Sequence, residues 1–425
     1  MGVPPVTKPR ATPDEAGSTG AAIVDRLTQL AAVSDEASGL TRLYLSPAHR
    51  KAADLVLEWM RDAGMSARID AVGSVIGRYE ADRPNARTLI LGSHIDTVRN
   101  AGAYDGNLGV ATAIEVVRRL HAEGRRAPFA IEVAAFGDEE GVRFPSTLGG
   151  SRALAGRFDP AILEERDAEG VSRREALIAF GCDPSRIAEE AHRPEDILGY
   201  VEAHIEQGPV LEAEDRPVGI VTAINGASRG EVKVTGESGH AGCVPMPLRR
   251  DALAAAATMV LAIESRAAAE PDLVATVGRL DIAHPAANTI PGNVTFTLDI
   301  RSPSDQARKA AVRDIADRIE EIARARGVAA QIHIGYEASA CRSDADLSNA
   351  LAAAVNRLGL AERRLPSGAG HDAMAFDGRI PFAMVFVRCR GGVSHNPTEY
   401  ASPDDIDIGA RALLDFIDHL APASA

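Results

Sequence analysis

The 425-residue chain reads as an α/β protein in which a larger, discontinuous domain is interrupted by a smaller α+β module. Three observations carry this reading. Strand-like apolar runs alternate with helix-period segments through the first part of the chain. Near Asn225 the order becomes βαββαβ, that of a ferredoxin-like module. After Ser343 the α/β patterning returns and runs towards the C-terminus. The length also exceeds what one hydrophobic core usually organises.

Residues 1–20, "MGVPPVTKPRATPDEAGSTG", are rich in Pro, Gly, Ala and Thr and lack a continuous apolar segment, so they read as a loose tail and the expected compartment is the cytoplasm. "ARIDAVGSVIGRYE", "RTLILGS" and "FAIEVAAFG" read as strands, with "NLGVATAIEVVRRLHAEG" as a helix between the last two. From Ala153 to Tyr200 the chain is polar and helical, an excursion before the sheet resumes around "VGIVTAI". The module then takes "RGEVKVTG", a helix from Leu248 to about Ala269, "LVATVGRLDIA", "VTFTLDIRS", a second helix and "AQIHIGYEA". Ser302 and Ser304 are capping candidates for that second helix, and Val312, Ile315, Ile319 and Ile322 form one apolar stripe. The expected domains are 21–224 with 336–425, and 225–335, with hinges near Asn225 and Tyr336.

Hydrophobic residues make up 45% of the chain and charged residues 25%, ordinary for a globular protein, and no apolar run approaches the roughly 20 residues that span a bilayer. A formal net charge of −14 disfavours nucleic acid and anionic membranes as partners. Cys182, Cys243, Cys341 and Cys389 are scattered, which argues against a disulfide framework or a thiolate zinc site. A small-molecule partner is expected.

Four segments hold the candidate chemistry, each placed where α/β sheets build their sites, beyond strand ends. "GSHIDTVRNAGAYDGNLG" supplies His94, Asp96 and Asp105; "FGDEEG" supplies Asp138, Glu139 and Glu140. "AHIEQGPVLE" offers His204, Glu206 and Gln207, opening an expected helix, and "GGVSHNPTEYAS" offers His395 and Glu399. Singly, each has a bland explanation: Asp105-Gly106 is also a turn signal, and a solitary histidine is often structural. Together they are an inventory of imidazoles and carboxylates suited to a divalent ion such as zinc. Competing motifs fail. There is no H-E-x-x-H, P-loop or G-x-G-x-x-G, and the formal G-x-S-x-G at Gly226–Gly230 leads into a strand rather than a helix, so it reads as a hinge.

With "GHAGCVPMPLRRDAL", "NTIPGNVTFTLDIRS", "SGAGHDAM" and "FGDEEGVRFPSTLGGSRALAG" added, the chain from about Gly39 onward resembles the amidase/hydantoinase/carbamoylase family of binuclear-metal hydrolases. The resemblance implies a zinc-aminopeptidase-like catalytic domain and a lid that mediates homodimerisation. It implies two divalent ions, zinc, manganese, cobalt or nickel: one on His94 and His204, the other on Glu140 and His395, with Asp105 shared. Glu139 is then the general base and Asp96 the residue orienting a ligand. His240 corresponds to an oxyanion-stabilising histidine, Asn288 and Arg301 to lid residues that hold a substrate carboxylate, and Gln207, Gly370 and His371 to pocket residues. The implied reaction is hydrolysis of a ureido or carbamoyl C–N bond; the alternative is an aminoacylase or dipeptidase using the same site on an amide. A catalytically silent scaffold would lack a ligand or the base, and all six positions are filled. Cys243 and Val244 depart from the small or hydroxyl residues usual beside the lid histidine.

Overall fold

The computed structural model describes residues 18–421. Most of the expected N-terminal tail lies outside the described residues, and its last residues begin a helix, with the Ser18 side chain accepting the Ala21 N–H. The chain forms two compact units: one comprises the chain up to Ile220, Asp344–Arg364 and the chain from His371, the other Val221–Ser343 and Leu365–Gly370.

The first unit begins with α1 (Thr19–Ala31), α2 (Pro47–Asp62), β1 (Ser66–Ile69), β2 (Val75–Tyr79), β3 (Thr88–His94), α3 (Asn107–Ala122) and β4 (Ala130–Phe136). The excursion contributes short α4 (Gly149–Leu154) and α5 (Arg173–Phe180), then the sheet resumes with β5 (Ile197–Ile205), α6 (Val210–Ala213) and β6 (Val218–Ile224). The sheet therefore returns earlier than expected. β5, "ILGYVEAHI", is buried at every position, and its Glu202 and His204 disguise a central strand as a polar segment.

The second unit contains β7 (Gly226–Thr235), β8 (Gly239–His240), α7 (Ala252–Ala268), β9 (Val274–Thr276), β10 (Leu280–Ile282), β11 (Thr289–Ile290), β12 (Asn293–Ser302), α8 (Asp305–Arg326), β13 (Ala329–Ala338) and β14 (Cys341–Arg342). Its antiparallel sheet runs β10-β12-β7-β13, with β9 also on β12. β12 alternates strictly: Val294, Phe296, Leu298 and Ile300 are buried, while Thr297, Asp299 and Arg301 occupy the other face. Ser304 caps α8, whose Ile315, Ile319 and Ile322 join the core and whose last turn ends at Gly327 in the left-handed region. Two positions read as hinges lie in strands. Tyr336 lies inside β13, paired with Arg229. The G-x-S-x-G run is the start of β7, with Ser228 buried against Arg308 and Glu337.

The first unit is completed by α9 (Ala345–Arg357), β16 (Phe382–Val387) and α10 (Pro403–His419), while β15 (Arg364–Ser367) belongs to the second unit apart from its first residue. Strand order β1-β2-β4-β3-β5-β16-β6 places four parallel strands, β4, β3, β5 and β16, at the centre. Their buried apolar runs are what a sheet covered on both faces requires. Among the described residues no helix is long and apolar enough to cross a membrane, and all four cysteines are free.

Candidate functional site

The central strands end together. In register, His94 of β3 lies opposite Phe136 of β4, and His204 of β5 opposite Phe386 of β16. Beyond those ends come Asp105 after β3, Asp138, Glu139 and Glu140 after β4, Glu206 and Gln207 after β5, and His395 after β16. β3 has β4 on one side and β5 on the other, so the loops diverge here and leave a crevice, the usual site position in an open α/β sheet. His204 thus closes a strand instead of opening a helix. Glu206 serves the short helix that follows, accepting the Val210 and Leu211 N–H groups at 2.8 and 2.9 Å.

Asp105 is the hub. Its Oδ1 lies 3.2 Å from His204 Nε2 and 3.6 Å from His94 Nε2, and its Oδ2 lies 3.1 Å from His395 Nε2. Glu140 is 3.7 Å from His395 Nε2, and Glu139 is 4.0 Å from His94 Nε2. Two donor groups therefore share Asp105: His94–Asp105–His204 and Asp105–Glu140–His395, each with ligand atoms within 4.8 Å of one another. Gly106 makes the approach possible. Its φ is +65°, and a Cβ there would meet the His94 ring at 2.4 Å.

The imidazole partners fix which lone pairs face inward. His94 Nδ1 is 3.0 Å from the Asp96 carbonyl and His204 Nδ1 2.9 Å from the Ile205 carbonyl. A carbonyl only accepts, so both Nδ1 atoms carry hydrogen. His204 Nε2 also lies 3.3 Å from the Gly106 N–H, which donates towards it. The Nε2 atoms point at carboxylate oxygens, so each of these contacts needs a proton or another cation between the two atoms. In protons alone the cost is visible. Burial favours neutral His94, but Asp105 and Asp96 outweigh it and hold its pKa well above the usual value. Asp105 hydrogen-bond interactions raise His395 to about 8. Burial pushes Asp105 up, but His204, His395 and His94 hold it well below the carboxylate range. Burial and then Asp105 push Glu140 to about 7, and burial raises Glu139 strongly. Buried Glu140 Oε1 has no hydrogen-bond partner. Nitrogen and oxygen donors in this arrangement fit divalent cations of the zinc type.

Neighbouring residues hold the ligands. Asp96 orients His94 through its backbone carbonyl, while its carboxylate accepts the Glu139 and Glu140 N–H groups, each at 3.2 Å. Gln207, expected as a pocket residue, donates to Asp105 Oδ2 at 2.8 Å and to Ser394 Oγ at 3.0 Å. Glu399 accepts the Tyr104 and Asp105 N–H groups at 2.7 and 3.0 Å and pairs with Ser394. His371 is buried with its ring edge-on to His204, centroids 4.6 Å apart, and burial drives its pKa well below the usual value. Asp138, Gln207 and His395 all adopt positive φ, concentrating backbone strain in these loops. Sequence reasoning missed Ser394 and Glu202; the latter accepts Ser93 Oγ at 2.7 Å behind both strand-end histidines. Its signal was a lone carboxylate in an apolar run.

His240, Asn288, Arg301 and Gly370 belong to the second unit. There His240 pairs with Thr289 across β8 and β11, and the Asn288 carbonyl accepts the Ala241 N–H at 2.9 Å. Arg301 is held by Asp299 through Nε and Nη2 at 2.9 and 2.8 Å and donates through Nη1 to the Gly368 carbonyl at 2.7 Å. Three of a guanidinium's five N–H groups are thus used, leaving two for a ligand. Arg229, Thr276, Thr297, Asp299 and Arg301 line a cleft of about 600 Å³ on the sheet face away from the helices.

The sequence pattern of Peptidase family M20/M25/M40 matches residues 90–419. The chain is 40% identical to an allantoate deiminase of Arabidopsis thaliana over 93% of its length and 81% of the relative's. It is 41% identical to an N-carbamoyl-L-amino acid amidohydrolase of Geobacillus stearothermophilus over 95% and 98%. A crystal structure of a hydantoinase/carbamoylase family amidase from Burkholderia multivorans superposes with a TM-score of 0.89 at 33% identity, covering 94% of this chain and 97% of that one.

Proposed function

We propose, from the premise that this chain belongs to the hydantoinase/carbamoylase amidases within peptidase family M20/M25/M40, that it hydrolyses the carbamoyl C–N bond of an N-carbamoyl amino acid or allantoate-like substrate. The observation that carries the reading is Asp105, common to two donor groups that otherwise share no residue. His94 and His204 would hold one divalent ion, Glu140 and His395 a second, and Asp105 both. Bound there, the ions supply Lewis-acid activation of a water and of the substrate carbonyl.

The remaining work belongs to side chains. Glu139, whose carboxylate lies 4.0 Å from His94 Nε2, takes a proton from the attacking water and returns it to the departing nitrogen. Without that return, the nitrogen is a poor leaving group. Asp96 keeps Glu139 in place through the backbone N–H. His240 is assigned as the donor to the developing oxyanion, and Asn288 and Arg301 as the carboxylate-recognising pair, with Gln207, Gly370 and His371 shaping the pocket. The two free N–H groups of Arg301 support its part. A homodimer formed through the second unit is part of the same proposal.

The test is turnover by metal-reconstituted protein. Ammonia is measured on N-carbamoyl-L-amino acids, N-carbamoyl-β-alanine and allantoate, and amine release on N-acetyl amino acids and dipeptides. Chelator-sensitive turnover of one ureido compound is expected. Turnover confined to the acyl or peptide compounds would overturn the substrate class and favour the aminoacylase alternative.

A further inference from the structure

Arg42 is wholly buried, yet no carboxylate oxygen among the described residues lies within 4.0 Å of its guanidinium. Its hydrogen bonds go to neutral oxygens instead. Nε donates to the Ile95 carbonyl at 2.6 Å, Nη1 to the Leu30 and Val33 carbonyls at 2.7 and 3.0 Å, and Nη2 to Asn107 Oδ1 at 2.6 Å. Its backbone is tied as well: the Arg42 N–H donates to Thr97 Oγ1 and the Thr97 N–H to the Arg42 carbonyl, both at 2.9 Å. A buried cation without a carboxylate partner is costly to desolvate, and here only these neutral oxygens offset that cost.

What it organises is the loop between β3 and α3. Ile95 opens that loop and Asn107 closes it, and Asp96 and Asp105 lie just inside these two anchors. The far anchor reaches Asp105 directly, since the Asn107 N–H and Nδ2 both donate to the Asp105 carbonyl, at 2.6 and 3.1 Å. The near anchor is followed by Asp96, whose carboxylate receives the Glu139 and Glu140 N–H groups of the turn after β4. The other end of the guanidinium rests on carbonyls at the C-terminal end of α1, where the helix dipole favours positive charge.

We propose that Arg42 is a positioning residue for the metal centre: by spanning α1, Ile95 and Asn107 it holds Asp105 and the Glu139–Glu140 turn in binding geometry before any ion arrives. The inference rests on the metal-binding reading above. Lysine cannot replace it, because one ammonium offers three donors from a single point where four acceptors lie in a spread fan.

The test is the affinity of chelator-stripped protein for Zn²⁺ and Co²⁺, by calorimetry and chelator competition, in wild type and Arg42→Lys, with kcat and KM measured separately. Residues that orient ligands typically contribute about 10- to 100-fold in metal affinity. A loss of that size is expected, with activity restored by excess metal and KM held within about threefold. Wild-type affinity in folded Arg42→Lys, even with a lowered melting temperature, would overturn the proposal and leave Arg42 a purely structural residue. If Arg42→Lys does not fold, Asn107→Ala and Thr97→Val each release one tie of the loop, and unchanged affinity in both overturns it equally. Absence of metal binding by the wild type would instead defeat the metal-centre reading itself.

Discussion

Asp138 and Glu140 stand on one turn after β4, but their surroundings differ in kind. Asp138 is ion-paired with Arg173, both side chains almost completely buried. Arg173 also donates to the Ser146 carbonyl at 2.8 Å, lies 3.2 Å from Glu165 and sits 4.7 Å over the Phe144 ring. Glu140 has no guanidinium beside it among the described residues: its carboxylate lies 3.7 Å from His395 Nε2 and clusters with His94 and Glu139. A guanidinium brings a permanent positive charge to Asp138, whose carboxyl burial still raises to about 7. The imidazole cluster brings nitrogen lone pairs that suit a divalent cation. On the proposed reading, adjacent carboxylates divide into one that builds the scaffold and others that bind.

The division can be tested from its largest consequence downward. On the binding side, Glu139→Gln is expected to lower kcat by about 10²- to 10⁴-fold, while chelator-competition affinity and melting temperature stay near wild type. A comparable loss of metal affinity would make Glu139 a ligand rather than the base. On the scaffold side, Arg173→Met leaves Asp138 buried and unpaired and is expected to cost about 3–5 kcal/mol in denaturant unfolding. Little change would mean that Asp138 is neutral in the folded protein and the comparison is wrong.

Asp70 tests a third setting, a buried carboxylate whose Oδ1 is hydrogen-bonded by the Val72 and Ser74 N–H groups at 3.0 and 2.7 Å. Burial, then the nearby Glu190 charge, raises it to about 7. A carboxylate raised on folding stabilises most when protonated, below the unfolded value near 4, and that contribution is lost as pH climbs through 7. Asp70→Asn keeps the accepting oxygen, so its melting temperature should exceed wild type at pH 8, by at most about 4 kcal/mol of stability, and the gap should shrink towards pH 4. A constant gap would argue that Asp70 ionises normally. The smallest effect belongs to Ser304→Ala, which removes the cap on α8 and should cost about 1 kcal/mol without altering metal affinity.

The sequence displayed the ligands better than it displayed what holds them. His94 and Asp105 were readable because glycines and an apolar strand frame them, and the second unit because β12 alternates with period two while α8 carries a clean stripe. β5 was misread because a binding strand must interrupt its own apolar run with Glu202 and His204. Arg42 and Arg173 left no pattern: each meets its partners only in the fold, across distances in sequence that no periodicity records. The ion pair of Arg301 with Asp299 was readable in principle, since residues two apart on a strand share a face.

The central claim is that the cluster around Asp105 is incomplete without divalent cations. Its most direct test is titration of chelator-stripped protein with Zn²⁺ or Co²⁺, followed by calorimetry, proton release and recovery of turnover in the same samples. The account predicts saturable binding that displaces protons from the imidazoles, turnover that rises with occupancy, and loss of both in Asp105→Asn. Full turnover in the stripped protein, or no binding at all, would contradict it.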